Sequence, residues 1–374
     1  MTYDVIVIGA GPAGAAAASR MARKGLLTLL IEKERLPRYM ACGGGLTQAV
    51  TKHVDFDYSA TVERVVTGFT LSYKHGPEYT LCPPGLKIEM VSRNRFDHRA
   101  VEEAVRSGAK LIEGIAAVAV EEGKREATVR THGGETFQGR IVVGADGSNS
   151  VAAQAAGLTD DQYGIALAGE IYPVGGTIPG TFDNRIFFRF GDIQNGYGWI
   201  FPKDDHYSIG ILTRSSRCPA FSSIYECFKE QFSFLKSSEE RIKRGRLLPF
   251  NRGYRSLNTK RICLVGDAAS LVDPLTGEGI SHAIHSGVIA ADVILSSLNK
   301  SGSLTENYTR DINEQIVEDF IHAMWLARLF YRFPSLLYMS KKYEHEIVQL
   351  INGEGRYRDF IPKLYKWLGL LVHP

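Results

Sequence analysis

The sequence predicts an α/β fold: a Rossmann-like domain, an α+β domain interleaved with it, and a helical C-terminal region. Three observations carry this. Gly9-Ala10-Gly11-Pro12-Ala13-Gly14 follows directly on the apolar run Asp4-Val5-Ile6-Val7-Ile8. Two later apolar runs end in the turn residues Asp146-Gly147 and Gly266-Asp267. Between those two turns, Arg185 to Phe190 and Tyr207 to Leu212 alternate and run as strands of a second sheet.

Taken in order, the apolar run is of strand length, Ala13 to Lys24 is alanine-rich and helical, and Leu27 to Ile31 reads as a buried strand ending at Glu32. That is the βαβ setting in which such a glycine pattern has meaning. Gly9 permits a tight turn, Gly11 lets a pyrophosphate approach the backbone, and Gly14 allows close helix–strand packing. Free N–H groups at the helix start then meet the phosphate charge. Glu32 stands where an acid accepts from a ribose hydroxyl, which favours FAD or NAD over NADP.

Two segments choose FAD. Ile141 to Ser150 and Ile262 to Ile280 resemble the corresponding parts of FAD enzymes built like aromatic hydroxylases. The resemblance implies that Gly266-Asp267 holds the ribityl chain, and that Pro274, Gly277, Glu278, Gly279 and Ile280 run past the isoalloxazine. A helix beginning near Gly279 would stabilise negative charge on reduced flavin. Arg93-Asn94-Arg95-Phe96-Asp97 matches the family's Arg-x-x-Phe-Asp segment, which implies that Arg93 approaches the cofactor phosphates. In the middle motif, Ala152 stands where the family usually has an arginine. No second glycine signature marks a nicotinamide domain, so any NAD(P)H would bind transiently.

Composition excludes several classes. The 374 residues suffice for two fused domains, and the net charge of +3 gives no bias toward nucleic acid. Five cysteines without CxxC spacing argue against a disulfide framework and a metal site. No charged-then-apolar leader and no long uninterrupted apolar stretch is found, so the expected location is cytoplasmic with no spanning helix. The expected Rossmann-like domain is 1–50, 85–158 and 255–300, the second domain 51–84 and 159–254, and the helical region 301–374. Within the second domain, Gly175-Gly176 reads as a turn and Ser222 to Phe234 as a helix.

Pro37-Arg38-Tyr39-Met40-Ala41-Cys42-Gly43-Gly44-Gly45 and Tyr197-Gly198-Trp199-Ile200-Phe201-Pro202-Lys203 narrow the reading. The first puts a thiol and three residues without side chains where the chain can run close to a flat ring. The second puts Tyr197 and Trp199 on one face of a strand and Ile200 on the other. Together with Asp273 to Gly279 they resemble the geranylgeranyl reductase family, over nearly the whole chain. The resemblance implies saturation of isolated C=C bonds in a polyprenyl chain, with hydride from reduced FAD and a proton added at the other carbon. It gives Cys42, Tyr197 and Trp199 as the catalytic set. It gives Gly9, Gly11, Pro12, Ala13, Gly14, Glu32, Lys33, Cys42, Gly43, Gly44, Arg93, Asp146, Gly266, Asp267, Pro274, Gly277, Glu278, Gly279 and Ile280 as cofactor-binding. An isolated alkene is a very weak base, so the site must be dry and well aligned.

The electron donor would be ferredoxin or NAD(P)H. Apolar residues from Phe320 to Met339, interrupted by Arg328 and Arg332, and Tyr365, Trp367, Leu368, Leu370 and Leu371 beside Lys363 and Lys366, suit a peripheral position at a membrane surface. The alternative is an FAD-dependent monooxygenase or halogenase. Halogenases carry a related Trp-x-Trp-x-Ile-Pro element, from which this chain departs at the first and fifth positions, and they use an early lysine with no clear counterpart here.

Overall fold

The computed structural model describes residues 1–160, 162–173, 184–236, 238–300, 304 and 307–368. The expected Gly175-Gly176 turn lies outside the described residues, as do Leu370 and Leu371.

The first sheet has seven strands. Lys110–Glu113, Thr28–Glu32, Thr2–Ile8 and Thr136–Gly144 run parallel in that spatial order. The free edge of Thr136–Gly144 is then shared. Its first half pairs with an antiparallel hairpin, Ala117–Glu122 and Ala127–Thr131, and its second half with the parallel strand Ile262–Leu264. The central strands are buried on both faces, which is why they read as unbroken apolar runs. Helix Pro12–Arg23 and the long helix Ile280–Lys300 pack against each other over this sheet. Ile280–Leu298 meets the length and hydropathy of a membrane span, against the expectation from apolar runs alone. With 67% of that stretch inside the protein, it is a core helix.

The second sheet also has seven strands, in the order Ser238–Leu248, Gly164–Pro173, Tyr207–Thr213, Gly196–Pro202, Arg185–Phe190, Gly68–Tyr73 and Tyr79–Leu81. All neighbours are antiparallel except Arg185–Phe190 against Gly68–Tyr73. Alternation divides its faces as read from the sequence. Tyr197 and Trp199 join Phe69, Leu71 and Phe190 in one apolar cluster. Ile200 joins Tyr207, Ile209 and Phe228 in another. The expected helix from Ser222 is observed as Phe221–Glu230, shorter than expected. The chain leaves it at Gln231, and Phe232 and Leu235 reach the same core from a separate 3₁₀ turn, Ser233–Leu235.

A three-stranded sheet, Gly45–Thr47, Ile88–Val91 and Val62–Val66, carries the glycine-rich segment after Cys42. The C-terminal region is helical: Glu318–Arg332, Glu344–Ile351 and Tyr357–Leu368, with a 3₁₀ stretch Pro334–Tyr343 between the first two.

Candidate functional site

Helix Pro12–Arg23 starts at Gly11, with no side chain capping its first N–H groups. Above Gly11 the space is open, for a Cβ built there would meet only the Arg38 guanidinium, at 3.9 Å. Unused donors beside open space at a helix N-terminus fit a pyrophosphate. Gly14 is the opposite case: a Cβ would lie 1.9 Å from the Gly9 carbonyl oxygen, so only glycine lets the helix seat on the turn. Glu32 is buried, and its carboxylate accepts from the Ala10 N–H at 2.8 Å and the Glu34 N–H at 3.1 Å. It thereby fixes the loop as well as facing the cavity. Exposed Lys33 lines the same space. The residues present fit the adenine and pyrophosphate half of FAD.

A buried chain of alternating charge runs from this end toward Cys42. Arg38 lies 3.5 Å from Glu32 and 3.1 Å from Asp97. Asp97 in turn takes two parallel hydrogen bonds from Arg93, at 2.8 and 2.9 Å. Burial works against the Arg93 charge, but Asp97 and the Cys42 thiol beside it hold its pKa above the ordinary value. Arg93 therefore sits against Cys42, held by a carboxylate one helical turn on.

Gly43 and Gly44 are pinned from the end of the second sheet. Lys203, only 1% exposed, donates to the carbonyl oxygens of Gly43 and Val91 at 2.7 Å each and reaches that of Gly44 at 3.5 Å. Burial pulls its pKa down, opposed by Glu170, Glu63 and Cys42. Gly44 has φ of +67°, and a Cβ there would lie 2.1 Å from the Val91 oxygen. The segment after Cys42 is thus bare of side chains and rigid.

On the far side, Asp146 accepts from the Ser150 hydroxyl at 2.6 Å and the Val151 N–H at 2.7 Å, capping helix Val151–Ala156. Asp267 is ion-paired with Arg246. Gly266 packs between Ala13 and Ala283. The turn that leads to Gly277 is gripped by three tyrosine hydroxyls. Tyr197 donates to the Thr276 oxygen at 2.5 Å, Tyr331 to the Leu275 oxygen at 2.8 Å, and Tyr357 to Asp273 Oδ2 at 2.8 Å. Burial raises the pKa of all three well above or above the usual phenol value, so they remain donors.

These parts enclose one cavity of about 990 Å³. Gly9, Gly11, Pro12, Ala13, Glu32, Lys33, Cys42, Gly43, Arg93, Asp146, Asp267, Gly277, Glu278, Gly279 and Ile280 line it, as do Tyr197 and Trp199. Gly14, Gly44, Gly266 and buried Pro274 stand behind the lining and shape it. Beyond Cys42 the wall becomes apolar: Phe188, Phe190 and Phe201 from the sheet, and Leu329, Phe330 and Ile347 from the C-terminal helices. The aromatic rings meet edge to face, Phe188 on Tyr197 at 5.3 Å and on Phe201 at 5.4 Å. The indole N–H of Trp199 is buried without a hydrogen-bond partner among the described residues. Lys203, Arg38, Asp97, Tyr331 and Tyr357 were not singled out by sequence. Lys203 had the best signal, at the end of the Tyr-x-Trp-x-Phe-Pro element, where a lysine would ordinarily be solvated.

Comparison with known proteins agrees with this geometry. A family model described as FAD dependent oxidoreductase matches residues 4–160, and one described as tryptophan halogenase matches 90–336. The chain is 30% identical to a geranylgeranyl diphosphate reductase of Rhodobacter capsulatus, over 81% of this chain and 77% of that one. It is 29% identical to a menaquinone reductase of Mycolicibacterium smegmatis, over 78% of this chain and 76% of that one. A geranylgeranyl bacteriochlorophyll reductase-like protein from Thermoplasma acidophilum superposes with a TM-score of 0.80, at 23% identity and 88% coverage of both chains, which shows the shared fold. With a cofactor cradle that fits FAD and relatives of this identity and span, the chain is an FAD-dependent oxidoreductase and belongs to the geranylgeranyl reductase family.

Proposed function

We propose that this enzyme saturates isolated C=C bonds of a geranylgeranyl or longer polyprenyl chain. The observation that carries the reading is a continuous cavity, in which an apolar, aromatic-walled space opens directly from the Cys42-Gly43 segment of the cofactor end. Bound and reduced, FAD would supply hydride to one carbon of the double bond, with a proton added at the other. The protein's residues do the rest. Phe188, Phe201 and Trp199 keep water from the alkene, and the Lys203-pinned loop fixes its distance from the ring. Cys42, Tyr197 and Trp199 are the catalytic set in this proposal, and the cofactor residues named above hold FAD. Residues 1–50, 85–158 and 255–300 are proposed as the FAD domain, with 51–84 and 159–254 covering the substrate.

The test is anaerobic. Protein reduced with dithionite is mixed with geranylgeraniol, and the lipid is weighed by mass spectrometry. Gains of two hydrogens per double bond are expected, and Cys42→Ala should keep its FAD yet give less saturated product. Unchanged lipid would overturn the reading.

The tryptophan halogenase match supports a second reading, an FAD-dependent monooxygenase or halogenase. Against it, Lys203, behind the Gly43-Gly44 loop, has its ammonium committed to backbone carbonyls. Oxygen-dependent turnover of an aromatic, with no prenyl saturation, would favour it.

Ferredoxin or NAD(P)H is the proposed electron donor. We also infer a cytoplasmic protein at a membrane surface, supported by half-buried and exposed Trp325, Phe333 and Arg328 on the C-terminal helices. Co-sedimentation with anionic liposomes is expected, and failure to co-sediment would remove this part.

A further inference from the structure

Each saturated double bond consumes one proton, and a cavity filled by a lipid offers that proton no path from solvent. It has to come through the wall. One set of titratable groups runs from the surface to the Cys42 loop and has no task in the reading above.

Its inner part is placed by strand register. Ala166 and Ala168 of strand Gly164–Pro173 line the cavity, so Glu170, two residues on, stands on the same face. Cross-strand pairing puts Glu170 beside Ser208, and Ser208 beside the lining residue Phe201. The Ser208 hydroxyl donates to the Cys42 carbonyl oxygen at 3.4 Å. Glu170 therefore sits under the loop that carries Cys42, and it also holds that loop directly. Tyr39, three residues before Cys42, donates to Glu170 Oε1 at 3.2 Å. Arg38 and Met40 line the cavity on either side of Tyr39, whose hydroxyl points back to the sheet.

The outer part is the hairpin after Lys203. His206 Nε2 lies 3.2 Å from Glu170 Oε2, and its Nδ1 lies 2.8 Å from Asp205 Oδ1. The side chains of Glu170 and His206 are 11% and 8% exposed, and that of Asp205 is 69% exposed. From solvent at Asp205 to buried Tyr39, each step is thus 3.2 Å or less. Tyr172 stacks on the imidazole at 4.6 Å, under the Arg241 guanidinium, which is paired with Glu239.

The surrounding charges favour an inward proton. Burial works against the His206 cation, but Glu170 and Asp205, with Glu63 nearby, hold its pKa above the ordinary value. Burial, Glu170 and Cys42 push the Tyr39 pKa up, against Arg244. The phenol therefore keeps its proton at rest and passes one on only as it receives another. Lys203 also faces Glu170, with its ammonium committed to the carbonyls of Gly43 and Val91. On the opposite face of the strand, Tyr225 and Glu240 are bonded to each other at 2.6 Å over Gly169.

We propose that Asp205, His206, Glu170 and Tyr39 form the route by which solvent protons restore the Cys42 thiol during alkene reduction. The inference rests on the prenyl-reductase reading and deepens it by giving the proton a source. For each double bond, the Cys42 S–H bond breaks and its proton forms the C–H bond at one alkene carbon. Hydride from reduced FAD forms the other, so both electrons come from the flavin. The thiolate then takes the Tyr39 proton. Tyr39 is refilled through Glu170 from the His206 imidazolium, and His206 is recharged from solvent at Asp205. An imidazolium is a stronger acid than a thiol, so the net shift runs inward. The four residues act only through Cys42.

The test uses FAD-loaded protein without oxygen, with dithionite and geranylgeraniol in excess. The wild-type rate should fall by roughly tenfold per pH unit above the His206 pKa, because only the imidazolium feeds the route. Tyr39→Phe, Glu170→Gln and His206→Gln, checked for normal flavin absorbance, should give a burst of one saturated double bond per protein. They should then slow by about tenfold or more, a two-phase course absent from the wild type. Histidine ring NMR should place the wild-type His206 pKa above that of free imidazole and show it lowered in Glu170→Gln. A uniformly slow course in the variants would mark a structural role and overturn the inference. Variants that keep the steady wild-type rate, or a wild-type His206 that titrates no higher than free imidazole, would also overturn it and leave the reductase reading standing. Lipid returned unchanged by the wild-type protein would end the reductase reading and the inference with it.

Discussion

Gly14→Ala should yield a protein that cannot hold FAD and that melts at a lower temperature. The added methyl would lie 1.9 Å from the Gly9 oxygen and 3.0 Å from the Ala145 Cβ. The first contact is with backbone, so relief requires helix Pro12–Arg23 to lift off the turn. Overpacking of this kind costs about 1–3 kcal/mol and often more when backbone must move. The lift also swings the N–H groups of Gly11 and Ala13 away from a pyrophosphate, and binding there depends on their direction. Flavin absorbance per mole of protein and thermal unfolding report the two effects. Gly25→Ala is the control. Its φ of +87° makes alanine strained, but nothing lies within 4 Å, so FAD should be retained. Stoichiometric FAD in Gly14→Ala would contradict the assignment of this loop.

Lys203→Met is expected to have the second-largest effect, and a different one. Two buried carbonyls, Gly43 and Val91, lose their donor, and each unsatisfied group costs about 1–3 kcal/mol. Methionine fills the volume without replacing the hydrogen bonds. The Cys42 to Gly44 segment should then loosen while the pyrophosphate loop stays intact. FAD content should be near normal, turnover should fall by about tenfold or more, and the urea midpoint should drop. Unchanged turnover would show that the ammonium does not position this loop.

Much of this was legible because it is local. A glycine turn between strand and helix, or Tyr197 and Trp199 on one strand face, depends on residues a few positions apart, and spacing reveals it. The helix after Phe221 was overextended because Phe232 continues the apolar period although the backbone has already turned. What stayed hidden was made by meetings across the sequence. Arg38 finds Asp97 on another element, Lys203 reaches into a loop of the other sheet, and His53 meets His285. A charged residue in sequence reads as solvated, since burial without partners is costly, and only the fold supplies the partners. Asp146 shows the converse. Its motif marks the cofactor cavity, yet the carboxylate itself is spent on capping a helix.

The three tyrosine hydroxyls on the turn from Asp273 to Thr276 have a consequence for how such enzymes diversify. Two of them come from the C-terminal helices, which wall the apolar part of the cavity, and they hold the turn that leads to Gly277. Exchanging those helices between relatives to alter chain length would therefore also retune the redox centre. The wall of the apolar space and the turn at the cofactor end are therefore one mechanical unit.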